Sequence, residues 1–295
     1  MKNISVIGAG TMGNGIAHVF AQSGFMVSLV DVSQDQLNRA MTTIAKNFDR
    51  QVAKSSITAE LKDAAMGRIS TNTSLAAGAV SAELVVEAAT ENTELKLNIF
   101  RQIDEHAPAG CILATNTSSI SITRIASVTS RPGQVIGMHF MNPVPVMKLV
   151  EIINGYATTE QVTQTIVALS RDLGKIPCVV NDYPGFIANR ILMPMINEAI
   201  YSLYEGVAGV EAIDTVMKLG MGHPMGPLQL ADFIGLDVCL SILQVLHDGF
   251  GHPKYAPCPL LVNMVTAKKL GVKSGEGFYL YTAGSKDLVV SERFR

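Results

Sequence analysis

A glycine-rich segment near the N-terminus constrains the fold of this 295-residue chain more than any other feature. The apolar run at residues 4–7 predicts a buried strand, and a helical pattern follows over residues 13–22. Between them, the first glycine would permit a tight turn, the second would let the backbone approach a pyrophosphate, and the third would let helix and strand pack closely. The free N–H groups at the start of the helix would face the phosphates. We therefore predict a dinucleotide-binding loop formed by Gly8, Gly10, Thr11, Met12 and Gly13.

The residue that ends the next predicted strand, at 26–30, bears on the choice of dinucleotide. Asp31 stands there, and a carboxylate at this position accepts hydrogen bonds from the adenosine ribose hydroxyls. It would also repel a 2′-phosphate, and Val32 and Ser33 follow it instead of an arginine that could bind that phosphate. We therefore predict NAD rather than NADP. The alternative is an ordinary surface turn with a helix-capping aspartate.

The first half of the chain alternates short β-branched runs with helical patterns, among them a long polar helix after Ser33, which predicts βαβ units and a mostly parallel sheet. Further strand candidates are residues 84–86, 112–114, 135–138, 149–153 and 176–180. After Asp182, Pro184 and Gly185 break the pattern and helical periods dominate. They cover residues 186–204, 210–218, 227–249, with a split near Gly235, and 259–268.

This pattern predicts an α/β protein of two domains. Residues 1–182 would form a Rossmann-type NAD-binding domain with a doubly wound, mostly parallel sheet. Residues 183–295 would form a smaller, all-helical domain for substrate binding and dimerisation. Its helices have more apolar surface than a small unit needs alone, which favours a symmetric homodimer.

Composition argues against several classes of protein. The formal net charge is −2, so no excess of positive charge attracts nucleic acid or an anionic membrane. No uninterrupted apolar run reaches the roughly 18 residues of a membrane span, and residues 1–3 lead into a strand rather than a signal peptide. The four cysteines and six histidines lack C-x-x-C and H-x-x-x-H spacing, which predicts no metal site. We expect a soluble, cytoplasmic protein.

A histidine at the end of a predicted strand is the candidate general base. A hydride leaves carbon only if the attached hydroxyl loses its proton, and an imidazole has a pKa near working pH. His139 ends the strand at 135–138, Pro143 and Pro145 then stiffen the chain, and a second strand carries Glu151. A carboxylate beside the imidazole would orient it and stabilise its protonated form. From the residues alone, a structural histidine and an inward salt bridge of Glu151 remain equally open.

A polar run follows the strand candidate at 112–114. In an open α/β sheet, ligands lie beyond the carboxyl ends of the strands, so a hydroxyl group within residues 116–119 could donate to a substrate oxygen. Ordinary helix capping before Ile120 explains the same residues at least as well.

Several segments, spread over nearly the whole chain, together resemble the L-3-hydroxyacyl-CoA dehydrogenase family. They are the glycine loop with Asp31, residues 116–119, 139–151, 182–190, 222–227 and 273–279. The length resembles that of the free-standing, short-chain members of the family. The resemblance implies an NAD-dependent oxidoreductase that interconverts (S)-3-hydroxyacyl-CoA, of short chain such as 3-hydroxybutyryl-CoA, with 3-ketoacyl-CoA.

The resemblance also implies a role for individual residues. The catalytic dyad of the family falls on His139 and Glu151, its substrate-oxygen serine on Ser118, and an active-site asparagine on Asn189. Four further residues fall at positions that the family uses around the cofactor: Glu91, Lys96, Asn142 and Lys273.

The resemblance places coenzyme A near the helix that follows the second strand. Arg50 and Lys54 lie four residues apart there, so they would share one helix face and could meet the CoA phosphates. A solvated basic face is an equally good interpretation. Met141 stands where many relatives have Phe, which bears only on fine substrate preference.

Three other interpretations remain open. A related dehydrogenase of the same fold could act on a polyol acid such as L-gulonate, although the basic CoA-facing residues argue mildly against it. A structural protein could keep the NAD site without turnover, but the complete set of Ser118, His139, Glu151 and Asn189 argues against that. An NAD-sensing regulator would need a DNA-reading element, and the sequence has none.

Overall fold

The computed structural model describes residues 1–282, 284 and 287–295. The chain divides into two compact units, Met1–Tyr183 and Pro184–Arg295.

The N-terminal unit is built on one eight-stranded sheet in the order β3-β2-β1-β4-β5-β6-β7-β8. The strands are β1 (Asn3–Ile7), β2 (Met26–Val30), β3 (Ile69–Asn72), β4 (Leu84–Glu87), β5 (Ile112–Thr115), β6 (Val135–Phe140), β7 (Leu149–Asn154) and β8 (Ile176–Asn181). All neighbouring strands pair in parallel except β6 and β7, which are antiparallel. The reversal of strand order at β1 and β4 confirms the predicted Rossmann-type, doubly wound sheet.

Helices connect the strands of this unit. They are α1 (Thr11–Gln22), α2 (Gln34–Ala53), α3 (Ala59–Gly67), α4 (Leu75–Ala79), α5 (Thr93–His106), α6 (Ile122–Ala126) and α7 (Glu160–Asp172), with a 3₁₀ turn over Pro132–Gln134. Each helix from α2 to α7 begins at a Ser, Thr or Asn whose side chain accepts a backbone N–H of the first turn. The strands and helices enclose one core that includes the fully buried Phe20 and Phe48.

The sequence analysis missed strand β3. Its residues are Ile-Ser-Thr-Asn, so it lacks the apolar run by which a buried strand is recognised. β3 lies at the edge of the sheet and pairs only with β2, and the neighbouring strand rather than its own composition makes it extended.

The C-terminal unit is mainly helical, as predicted. Its helices are α8 (Ala188–Tyr204), α9 (Val210–Thr215), α10 (Pro227–Ile234), α11 (Leu236–Phe250) and α12 (Pro259–Thr266), with 3₁₀ turns over Pro253–Tyr255, Val272–Ser274 and Glu292–Phe294. Gly235, at φ +104°, separates α10 from α11 at the predicted split.

Two details of this unit differ from the sequence prediction. The segment predicted as one helix over residues 210–218 ends as α9 at Thr215 and continues as a π-helical turn over Val216–Gly220. The unit also contains a short antiparallel pair, β9 (Tyr279–Leu280) and β10 (Val289–Val290). Strands of two residues are too short to show an alternating pattern.

No single helix of the described chain is long and apolar enough to cross a membrane, and one bent pair, α10 with α11 at 98°, passes the same test by length and composition only.

Candidate functional site

The glycine loop lies between β1 and α1, and two of its glycines are required by close backbone contacts. Gly8 has φ +101°, and a Cβ on it would lie 2.7 Å from the carbonyl oxygen of Ala88. A Cβ on Gly13 would lie 1.7 Å from the carbonyl oxygen of Gly8. Gly10 has open space around it, with no atom within 4 Å of the position of a Cβ. The turn is therefore tight on its inner side and open on its outer side, as an approaching pyrophosphate requires.

Asp31 closes the other side of this loop. One carboxylate oxygen accepts a hydrogen bond of 2.9 Å from the backbone N–H of Ala9, and the other accepts one of 2.9 Å from Ser33. A cavity of about 500 Å³ adjoins the loop and is lined by residues that include Gly8, Gly10, Asp31, Val32, Ala89 and Ile99. Its apolar wall and single acidic edge suit a nucleoside with free ribose hydroxyls.

A buried ionic network lies at the end of β4. The Nζ atom of Lys96 lies 2.7 Å from the carboxylate of Glu87, and both side chains are fully buried. The same Nζ lies 3.4 Å from the carboxylate of Glu91, which is partly exposed. Glu91 and Lys96, which were predicted as separate cofactor residues, thus form an ion pair. The third residue of the network, Glu87, was missed by the sequence analysis because it only ends an apolar run.

Residues 116–119, called the Ser118 loop, surround the Glu91 carboxylate. One Glu91 oxygen accepts hydrogen bonds from the backbone N–H groups of Ser118 (3.0 Å) and Ser119 (3.1 Å) and from the Thr117 hydroxyl. Partial burial opposes ionisation of Glu91, but the Lys96 ammonium and these donors outweigh it and hold the pKa of Glu91 below its ordinary value. The hydroxyl oxygen of Ser118 lies 3.4 Å from the same carboxylate oxygen.

His139 and Glu151 face each other across two strands. The antiparallel register of β6 and β7 sets His139 directly opposite Glu151, so both side chains lie on the same face of the sheet. The Nδ1 atom of His139 lies 2.8 Å from a Glu151 carboxylate oxygen. Glu151 is buried and the imidazole is mostly buried. A contact of this kind fixes which imidazole nitrogen faces the carboxylate and which faces away from it.

Two polar side chains form hydrogen bonds with the backbone near His139, and the sequence analysis gave neither of them a role. The Asn116 side-chain oxygen accepts a hydrogen bond of 2.9 Å from the backbone N–H of Phe140, so the Ser118 loop and the end of β6 are joined. The ammonium of the buried Lys175 donates to the carbonyls of Val144 and Met147, in the loop that also carries Asn142. No short-range pattern could reveal these contacts, since the partners are 24 to 31 residues apart.

The other predicted residues belong to other elements of the fold. Asn189 is in the first turn of α8, and Lys273 forms an ion pair with Asp237, both within the C-terminal unit. Arg50 is exposed in the last turn of α2, and Lys54 is the first residue after that helix. Arg50 lies roughly 24 Å along α2 from the first residue of that helix. The start of the helix is the end that lies next to the glycine loop. Among the described residues, no group of His, Cys, Asp or Glu could hold a metal ion.

The strand order, the glycine loop and the acidic residue at the end of β2 define a Rossmann-type dinucleotide-binding protein. Comparison with known families makes this specific. A model of the 3-hydroxyacyl-CoA dehydrogenase NAD-binding domain matches residues 3–183, and the model of the C-terminal domain of the same family matches residues 185–281. The chain therefore belongs to the 3-hydroxyacyl-CoA dehydrogenase family of NAD-dependent oxidoreductases.

Individual relatives match over almost their full length. The 3-hydroxybutyryl-CoA dehydrogenase of Bradyrhizobium diazoefficiens is 55% identical over 281 residues, which is 95% of this chain and 96% of the relative. That of Clostridioides difficile is 46% identical over 94% of this chain and 99% of the relative. The crystal structure of (S)-3-hydroxybutyryl-CoA dehydrogenase from Ralstonia eutropha matches with a TM-score of 0.93 and 48% identity, over 96% of this chain and 99% of that one. These matches confirm the predicted family and cofactor.

Proposed function

We propose that this protein interconverts (S)-3-hydroxybutyryl-CoA and acetoacetyl-CoA with NAD as hydride carrier. The observation that carries the proposal is the contact of 2.8 Å between His139 and the buried Glu151, at the end of β6 and next to the Ser118 loop. Relatives at 55% and 46% identity that bear the name 3-hydroxybutyryl-CoA dehydrogenase support the short acyl chain.

In the proposed oxidation, His139 is the general base. With its Nδ1–H donated to Glu151, the imidazole carries its basic lone pair on Nε2, and that nitrogen takes the proton of the 3-hydroxyl group. NAD, when bound, supplies the acceptor for the hydride from C3. The Glu151 carboxylate stabilises the imidazolium that forms. In the reverse direction, the imidazolium polarises the ketone and returns its proton to the alkoxide.

The remaining candidate residues hold the two reactants. The Ser118 hydroxyl donates to the substrate oxygen, and Asn189 positions the acyl thioester. The N–H groups of the glycine loop bind the pyrophosphate, and Asp31 accepts from the ribose hydroxyls. We place Asn142 near the nicotinamide, and Glu91, Lys96 and Lys273 around the cofactor. Arg50 and Lys54 would lie near the CoA phosphates.

The reaction is tested by following NADH absorbance at 340 nm with acetoacetyl-CoA. We expect rapid loss of NADH, and a kcat/KM with NADPH that is roughly 10- to 100-fold lower, because Asp31 repels the 2′-phosphate. Longer 3-ketoacyl-CoA substrates and L-gulonate serve as comparisons. Turnover with L-gulonate but with no acyl-CoA would reject the proposed substrate, and equal use of NADPH would reject the role of Asp31.

We also propose that the protein is a homodimer formed through the C-terminal unit. This unit exposes large apolar side chains that a monomer would leave in water, with exposed fractions of 81% for Leu219, 68% for Phe233 and 63% for Met221. Light scattering is expected to give twice the chain mass of 31.5 kDa at micromolar concentration. Leu219→Asp with Phe233→Asp should shift the protein to monomer. The matched change Tyr156→Asp, at a side chain exposed to 95% in the N-terminal unit, should not. A monomeric wild type contradicts the proposal.

A further inference from the structure

We propose that Glu87 is a positioning residue for Ser118 and that it acts through two separate chains of hydrogen bonds. This inference rests on the proposed function, because Ser118 matters only if it holds the substrate oxygen. It adds Glu87, Thr115 and Thr117 to the residues on which turnover depends, although none of the three contacts the reactants in the proposed mechanism.

Glu87 is a fully buried carboxylate with all of its contacts inside the protein. One oxygen accepts from Lys96 (2.7 Å) and from the backbone N–H of Ala89 (2.6 Å), and the other accepts from the Thr115 hydroxyl (2.7 Å). A buried ion pair contributes little net stability compared with apolar residues of similar size, since desolvation offsets most of the attraction. The hydrogen bonds of Glu87 do impose a fixed geometry on Ala89, Lys96 and Thr115.

The first chain runs from Glu87 through Lys96 to Glu91. The Lys96 ammonium lies between the two carboxylates, at 2.7 Å from Glu87 and 3.4 Å from Glu91. Lys96 is only 1% exposed, so its ammonium cannot turn out to water and holds Glu91 in place. Glu91 in turn accepts hydrogen bonds from the backbone N–H groups of Ser118 (3.0 Å) and Ser119 (3.1 Å).

The second chain runs from Glu87 through Thr115 to Thr117. The Thr115 hydroxyl donates to Glu87 and accepts the backbone N–H of Thr117 at 3.2 Å. The Thr117 hydroxyl donates to Glu91 and accepts the N–H groups of Ser119 (3.3 Å) and Ile120 (3.0 Å). Both chains therefore meet at Thr117 and Glu91, and together they fix the backbone on either side of Ser118.

The test is Thr117→Val, which keeps the shape of a side chain that is 1% exposed and removes only its hydroxyl. We expect kcat with acetoacetyl-CoA to fall about tenfold, because small misplacement of a positioning group lowers the rate strongly. The Kd for NADH, measured by fluorescence titration, should stay within about twofold. The matched control is Thr163→Val, which removes the hydroxyl of a threonine that is 2% exposed and bonds to Asn154, and it should keep the wild-type kcat.

The decisive readout is the same change in a Ser118→Ala background. If Thr117 acts through Ser118, Thr117→Val should produce no further loss of kcat there, because residues that act as a unit are not additive. An equal loss in both backgrounds would show a general structural effect and would overturn the inference. So would a wild-type kcat for Thr117→Val.

Glu87→Gln is the second variant, since it keeps the size of Glu87 and removes its charge. We expect it to lower kcat about tenfold or more, again without further loss in the Ser118→Ala background. If Glu87→Gln does not fold, as judged by circular dichroism, Thr117→Val alone decides the inference. A wild-type protein without turnover overturns the proposed function and this inference together, whereas an active wild type with unaffected or additive variants overturns only the inference.

Discussion

His139→Gln is expected to bind NADH as tightly as the wild type and to reduce acetoacetyl-CoA about 10² to 10⁴ times more slowly, which is the usual contribution of general acid–base catalysis. Glutamine is close to histidine in size and can still hydrogen-bond to Glu151. It cannot take up or release a proton near neutral pH. The variant should therefore keep its fold and its cofactor site and lose only the proton transfer.

Two measurements and one control make this prediction specific. Stopped-flow or steady-state absorbance at 340 nm gives kcat, and fluorescence titration gives the Kd for NADH. Glu151→Gln should lower kcat by a smaller factor, about 10- to 100-fold, because the base remains but its imidazolium loses a carboxylate partner that is 1% exposed. His106→Gln, at an exposed histidine in the last turn of α5, should leave both values unchanged. Near-normal turnover of His139→Gln would reject His139 as the base.

The sequence predicted the parts of the fold that have strong local signals. Three such signals are the apolar run before Gly8, the spacing of the glycines and the break at Pro184. Each of them is set by residues that are neighbours in the sequence. Each strand predicted from an apolar run is present. The polar strand β3 was missed because its extended shape comes from pairing with β2. The π-helical turn after Thr215 was also missed, because an amphipathic pattern cannot distinguish it from a continued α-helix.

In the candidate site, too, local sequence signals predict some residues and cannot predict others. His139 and Glu151 could be proposed from sequence because two prolines mark a loop that returns the chain to the sheet. The register that sets them opposite each other is a property of the paired strands. Glu87 could not be proposed, because in sequence it is only the polar end of an apolar run. Its partners, Lys96 on α5 and Thr115 on β5, reach it only in the packed sheet.

Gly13→Ala and Gly10→Ala are expected to separate the folding role of the glycine loop from its binding role. A Cβ on Gly13 would lie 1.7 Å from the backbone oxygen of Gly8, and neither backbone can move without separating α1 from β1. We expect Gly13→Ala to lower the free energy of unfolding by about 3 kcal/mol or more, which corresponds to a fall in Tm of roughly 6–12 °C. NADH binding should be lost with it.

Gly10→Ala makes the same chemical change three positions away in sequence, but in open space. Gly10 has a φ of −67°, which alanine adopts readily, and no atom lies within 4 Å of the position of its Cβ. Gly10 is the N-cap of α1, where alanine is less favourable than glycine by roughly 1 kcal/mol, so the variant should melt only about 2–4 °C below the wild type. Its Kd for NADH should rise about 10- to 100-fold, because the added methyl group occupies the space through which the backbone meets the pyrophosphate.

Thermal melting and NADH titration of both variants test the two predictions. Tight NADH binding by Gly10→Ala would mean that the pyrophosphate does not lie against this loop, and a normal Tm for Gly13→Ala would mean that the contact between Gly13 and Gly8 is not what holds the turn.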